Sequence, residues 1–125
     1  MYGVKARSGD PDLRRVREVE LLVDTGAVYT VLPRSLLEEL GIEPMGKRKF
    51  RTIEGKIIER YIGEAVIECL GERATCIVVF AEENDFEVLG VTALENLALE
   101  IDPVTKQLRK AEAVPALASL SYEYQ

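Results

Sequence analysis

The chain has 125 residues, 47% of them hydrophobic, and a formal net charge of −6 with no histidine. That length fits one domain with a real core, at the small end where a partner chain helps to bury surface. The acidic balance argues against nucleic acid or anionic membrane as partners, and the missing histidine excludes Ser-His-Asp and Cys-His nucleophilic engines.

Residues 1–12 are polar and carry Gly and Pro, so an irregular start is expected, with a short strand around Tyr2–Ala6. Residues 14–23 (RRVREVELLV) alternate loosely and then turn apolar, which predicts a strand with a buried end. Asp24-Thr25-Gly26 breaks it, and Tyr29–Leu32 resumes β character. Pro33-Arg34-Ser35 opens a short helical turn over Leu36–Leu40 that Gly41 stops. The basic run Lys47-Arg48-Lys49 reads as a solvated loop.

Phe50, Thr52 and Ile53 precede Glu54-Gly55, and Ile57, Ile58 and Tyr61 follow, which signals a hairpin. After Gly63-Glu64 come a strand over Ala65–Cys69, a turn at Leu70–Arg73 and a returning strand at Thr75–Phe80. Glu82–Asp85 is an acidic loop, and Phe86–Gly90 is a short strand ending in glycine. Thr92–Leu97 predicts a two-turn helix with Thr92 as N-cap. Leu99–Ile101 is β again, Asp102-Pro103 turns the chain, and Thr105–Arg109 closes a last hairpin. The tail 111–125 reads as strand or short helix, with Pro115 against a helix through its middle. Many short strands with one or two short helices predict a small, closed all-β structure.

No apolar stretch approaches a bilayer span, and the N-terminus lacks a signal-peptide core, so a cytoplasmic chain is expected. Cys69 and Cys76 flank the Leu70–Arg73 turn, where a tight hairpin pairs Cys69 with a residue near Ala74, so thiols rather than a disulfide are expected. Without His or Cys-x-x-Cys there is no metal ligand set, and no cofactor is expected.

The chemistry concentrates in ELLVDTGAVYTVLP, residues 20–33. An Asp capping a turn that glycine permits is the plain reading of Asp24. Two features point further. Leu21-Leu22-Val23 and Thr30-Val31-Leu32 frame the acid with core-type strands, and Val88-Leu89-Gly90 stands far downstream, ahead of a short helix. Together these residues resemble the retropepsin-like aspartic proteases, the single-lobe family that includes retroviral proteases. Leu22-Val23-Asp24-Thr25-Gly26-Ala27 matches the family's active-site pattern, Ile53–Arg60 lies at its flap, and Val88-Leu89-Gly90 matches its apolar-apolar-Gly motif.

The resemblance spans residues 16–109 and implies one domain over 1–125, a closed β-barrel acid-protease lobe, and a homodimer to which the 110–125 tail contributes. It implies an aspartic endopeptidase in which Asp24 and the Asp24 of a second copy activate a water. Thr25 would hydrogen-bond to its counterpart, the Gly26 carbonyl would face the substrate backbone, and Ala27 would leave room beside the acids. The substrate would be an extended peptide or unfolded protein, contacted by Val28, Tyr29, Val31, Ile53, Gly55, Ile57 and Val88. Leu89 is better read as core.

Three departures stand out. Val28 and Tyr29 occupy positions where retroviral members often carry acids, Val91 stands where they place Arg, and the flap tip has one glycine, Gly55. These are more similar to cellular or prokaryotic relatives. A non-catalytic peptide-binding or dimerisation module on the same fold is the alternative, and an unrelated small β-barrel would leave the paired motifs unexplained.

Overall fold

The computed structural model describes residues 3–113, with side chains from residue 7 onward. The tail expected at a dimer contact lies, from residue 114 on, outside the described residues, as does Tyr2.

The chain is mostly β. In order it forms β1 (Gly3–Gly9), β2 (Val16–Val23), β3 (Thr30–Pro33), α1 (Arg34–Glu39), β4 (Gly46–Arg51), β5 (Ile57–Cys69), β6 (Glu72–Ala81), β7 (Val88–Leu89), α2 (Val91–Asn96), β8 (Leu99–Ile101) and β9 (Leu108–Lys110). Strands β1 to β7 make one sheet in the order β1-β2-β7-β3-β6-β5-β4. β1 also pairs with β5, through Arg7–Gly9 against Val66–Glu68, so the first strand returns onto the far part of the sheet. That return pairing is what the structure offers of the expected closed barrel. β8 and β9 form a separate hairpin.

The register of β2 shows how the strand is read. Leu21 and Val23 are buried at 2% exposure each, while Leu22 points outward at 36%. The three apolar residues thus keep the two-residue period of a strand with one core face. Leu21, Leu32, Leu37, Ile67, Phe80 and Leu89 are among the largest fully buried side chains. Each contributes roughly 1.5–3 kcal/mol by leaving water.

Gly63 does not interrupt the chain; β5 runs through it as one 13-residue strand. A Cβ there would lie 3.0 Å from the Phe80 ring and 3.3 Å from Ile42 Cγ2. The glycine serves close packing rather than a break. The following turn is tighter than expected. Leu70 (φ 52°) and Gly71 (φ 82°) are both left-handed, and Cys69 pairs directly with Glu72. This is a two-residue hairpin of the primed type, which matches strand twist. It sets Cys76 opposite Ala65, not opposite Cys69.

Two further expectations change. Lys47-Arg48-Lys49 is not a loop but lies within β4, at the edge of the sheet. Thr92 is not the N-cap of α2: Gly90 holds that position, and Thr92 sits inside the first turn. α1 ends as predicted, with Gly41 at φ +74° and Ile42 N donating to Leu37 O at 2.9 Å.

Candidate active site

β7 is only two residues long, yet it lies between β2 and β3. Leu22 and Val23 run parallel to Val88 and Leu89, and Val31 pairs with Val88 from the other side. The loop 24–29 must therefore pass around the end of β7. Asp24 N donates to Leu89 O at 3.1 Å, and Gly26 N donates to Asp24 Oδ1 at 2.8 Å. Ala27 N closes the turn on Asp24 O at 3.1 Å. This is an Asx-type turn in which the acid's own side chain helps to fix its loop. A Cβ on Gly26 would come 3.1 Å from Asp24 Oδ1.

The downstream motif clamps the loop from the other side. Val91 N donates to Ala27 O and Thr92 N to Val28 O, each at 2.9 Å, and Thr92 Oγ1 donates to Val28 O at 2.8 Å. Gly90 N donates to the buried Thr30 Oγ1 at 3.0 Å. A Cβ on Gly90 would sit 2.5 Å from both Tyr29 C and Tyr29 O. Only glycine allows two backbones to approach so closely. The pairing of Asp-Thr-Gly-Ala with Val-Leu-Gly in the sequence thus corresponds to one hydrogen-bonded unit.

Asp24 is half-buried and stands between two hollows. The first is a cleft of about 490 Å³ lined in part by Asp24, Gly26 and Ala27. Val28, Tyr29, Val31, Val79 and Val88 form one part of its wall, and Phe50, Ile58 and Phe86 another. Lys49, Arg51, Arg60 and Asp85 supply its charges. The second hollow, about 780 Å³, runs from Val23, Asp24 and Thr25 to the β8–β9 hairpin at Ile101–Gln107. The Thr25 side chain is exposed and makes no hydrogen bond among the described residues.

Of the residues expected to contact substrate, Val28, Tyr29, Val31 and Val88 line the cleft. Ile53, Gly55 and Ile57 do not; Ile53 is fully exposed at the hairpin turn and Ile57 is 49% exposed. The β4–β5 register pairs Phe50 with Ile58 and Arg51 with Ile57. The two-residue period then turns Ile58 and Arg60 toward the cleft and Ile57 away. Leu89 is fully buried in the core, as expected.

Sequence reasoning missed Phe50, Ile58, Phe86 and the Arg60–Asp85 pair. Phe86 is 76% exposed on the cleft wall; it was expected inside a strand over Phe86–Gly90, but the strand is only Val88–Leu89 and leaves Phe86 in the loop before it. Arg60 Nε and Nη2 reach Asp85 Oδ2 and Oδ1 at 2.6 and 2.9 Å, and Asp85 Oδ2 also accepts Glu82 N at 2.8 Å. The Arg60 hydrogen bonds hold the Asp85 carboxyl below the usual carboxylate range, against the opposing effect of burial. The pair ties β5 to the loop before β7. Tyr29 is fixed in a similar way: Arg48 Nη1 donates to its hydroxyl at 2.9 Å, and its ring meets Phe50 edge-on at 6.0 Å between centroids.

Among the described residues no cluster of His, Cys, Asp or Glu has the form of a metal site. No helix is long and apolar enough to cross a membrane, among the same residues.

The family model for the gag-polyprotein putative aspartyl protease matches residues 15–96. Among solved structures, the solution structure of the Simian Foamy Virus (mac) protease aligns with a TM-score of 0.53 and 17% identity, over 74% of this chain and 91% of that one. The foamy viral protease-reverse transcriptase in complex with an RNA/DNA hybrid aligns with a TM-score of 0.53 and 16% identity, over 98% of this chain and 14% of that one. No curated protein matches the chain. At these identities the structural likeness speaks for the fold, and this chain spans only a small part of the second polypeptide. The family match runs from the start of β2 through the Asp-Thr-Gly-Ala loop and Val-Leu-Gly to α2, and the chain belongs to this retropepsin-like aspartyl protease family.

Proposed function

We propose that the protein is an aspartic endopeptidase that acts as a homodimer, with Asp24 of each copy forming the catalytic pair. One observation carries the reading: Asp24 lines a cleft with its loop clamped by Leu89–Thr92, beside an exposed Thr25 whose side chain has no hydrogen bond among the described residues. A single carboxylate cannot both activate water and protonate the scissile carbonyl. Two close carboxylates share one proton, because both cannot ionise at short range. The ionised member takes a proton from water while the neutral one donates to the carbonyl oxygen. The chain has one Asp-Thr-Gly, so the second acid comes from a second copy, across a two-fold axis.

Thr25 then finds its partner across the axis. The β4–β5 hairpin covers an extended substrate and excludes water. The substrate lies as an added strand whose alternate side chains enter the pocket of Val28, Val31, Val88 and Phe86. Apolar residues beside the cut suit such walls.

The test is proteolysis of an unfolded protein substrate from about pH 3 to 7 by wild type and Asp24→Asn, at several enzyme concentrations. Wild type alone cleaves, and specific activity falls on dilution as the dimer dissociates. Cleavage by Asp24→Asn at the wild-type rate overturns the assignment. A folded wild-type dimer that cleaves nothing, yet binds peptide, assigns the cleft to binding instead.

A further inference from the structure

The β4–β5 hairpin runs out beyond the sheet that carries it. β5 pairs with β6 only from Ile62 onward, so among the described residues 57–61 have β4 as their one strand neighbour. A two-stranded ribbon is marginally stable by itself, so its seat depends on side chains. On the outer face Tyr61 lies under Arg34 at 5.3 Å and Lys47 at 4.9 Å, which holds the base of the ribbon. On the cleft face the next row is Arg48 opposite Arg60. Toward the tip, from Arg51 to Lys56, the hydrogen bonds among the described residues stay within the hairpin, and Ile53 is fully exposed.

Two arginines directly opposite each other across a ribbon repel, and such a pair costs stability. The row makes sense from where each side chain goes. Arg60 forks onto Asp85, in the loop before β7, at 2.6 and 2.9 Å. Arg48 Nη1 donates to the hydroxyl of Tyr29, in the loop after Asp24, at 2.9 Å, with its guanidinium 5.5 Å from the ring centre. The Tyr29 ring also meets Phe50, the next residue on the cleft face of β4, edge-on. The arginine row thus ties each strand of the ribbon to a different loop of the cleft. Phe50 and Ile58, one row further out, line the cleft, whereas Arg48 itself does not.

We infer that Arg48 is a positioning residue. With Arg60 it forms a pair of struts that fixes where Phe50 and Ile58 stand over the cleft, so the hairpin bends beyond this row and not at its base. The kinetic consequence rests on the peptide-cleaving reading above; the motion rests on the geometry of the ribbon alone. Without the Arg48 strut the ribbon is seated for only a fraction of the time, and the apparent affinity for substrate falls by that fraction. A seated fraction of about one fifth raises KM about five-fold. The chemical step is spared, because the backbone clamp on the Asp24 loop does not involve Arg48; a rise in KM at unchanged kcat is the mark of lost binding rather than lost catalysis.

The test uses the full chain as wild type, Arg48→Met, Arg48→Lys, Tyr29→Phe and the double variant Tyr29→Phe/Arg48→Met. Arg48→Met keeps the stem and loses the donor, and Tyr29→Phe keeps the ring against Phe50 and loses the acceptor. Amide nitrogen relaxation dispersion, which reads microsecond-to-millisecond exchange, is recorded without substrate, and kcat and KM are measured with a peptide of apolar centre. Wild type is flat over residues 46–51 and 57–62. Exchange appears there in Arg48→Met and in Tyr29→Phe, is smaller in Arg48→Lys, and is no larger in the double variant than in Arg48→Met, because both changes remove one bond. KM rises about five-fold in Arg48→Met, with kcat within about two-fold of wild type. Flat profiles in both single variants overturn the inference, as does exchange of the same size in wild type or additive effects in the double variant. A kcat that falls as far as kcat/KM overturns the positioning role. A wild type that cleaves nothing overturns the protease reading, and the dispersion profiles still decide whether Arg48 seats the hairpin.

Discussion

Thr30→Val is the sharpest single test of how the active loop is held. Thr30 opens β3 with no exposed surface, and its Oγ1 accepts the Gly90 N–H at 3.0 Å. Valine has nearly the same shape but no acceptor. The Gly90 N–H then stays buried and unpaired, at a cost of about 2 kcal/mol. At roughly 4 °C per kcal/mol for a domain of this size, Tm falls by about 8 °C. Thr30→Ser is the paired control. It keeps the acceptor and loses one buried methyl group, costing about 1 kcal/mol, or about 4 °C. The order of stability is wild type, Ser, Val, measured by circular dichroism melts at equal protomer concentration, since association raises apparent stability. A Val variant as stable as wild type, or less damaged than Ser, refutes the hydrogen-bond argument and leaves only packing at this position.

Two further predictions follow from the cleft wall. Phe86→Ala removes an exposed ring and leaves Tm within about 2 °C, because surface truncations stay near ±0.5 kcal/mol; kcat/KM for a peptide with an apolar centre falls several-fold, whereas Ile57→Ala, on the face turned from the cleft, leaves it unchanged. Asp85 makes acid stability dependent on its charge: its folded pKa is depressed, chiefly by Arg60, so its contribution is full above the unfolded value of about 3.9 and is lost as pH falls through the folded value. Asp85→Asn is accordingly less stable than wild type at neutral pH, and urea titrations show the gap narrowing below about pH 4; a gap independent of pH contradicts the charge assignment.

The strand-loop-strand around Asp24 was legible because two independent signals coincide there, a two-residue apolar period and a polar-glycine break. Val88-Leu89-Gly90 was legible for the same reason. The face of the flap strand was not. Ile53 and Ile57 were expected at the substrate, whereas the residues of this hairpin that line the cleft include Phe50 and Ile58. A one-residue change of register exchanges every side chain between faces. Here the register depends on the turn, where Gly55 N bonds Thr52 O at 2.9 Å and Thr52 N bonds Lys56 O at 2.8 Å. Apolar content alone does not encode that geometry. Arg60 and Asp85 are 25 residues apart with no periodic pattern to join them. Thr92 looked like a cap because capping residues are read from local order, while its hydroxyl is claimed by Val28 O across the structure.

The departures at Val28 and Tyr29 take on a different meaning once the hydrogen bonds are traced. Five bonds join residues 89–92 to residues 24–30, and four of them end on the loop's own backbone. The fifth uses Thr30, which sits in the core rather than at the cleft. The position of Asp24 therefore does not depend on the side chains at 28 and 29. Those two positions can vary without loosening the acid, and both face the cleft. Tyr29 has been tied to the flap hairpin through Arg48 and Phe50 instead. Val28 and Tyr29 thus shape the cleft wall and the seating of the β4–β5 hairpin, while the backbone clamp from Leu89 to Thr92 keeps the carboxylate in place.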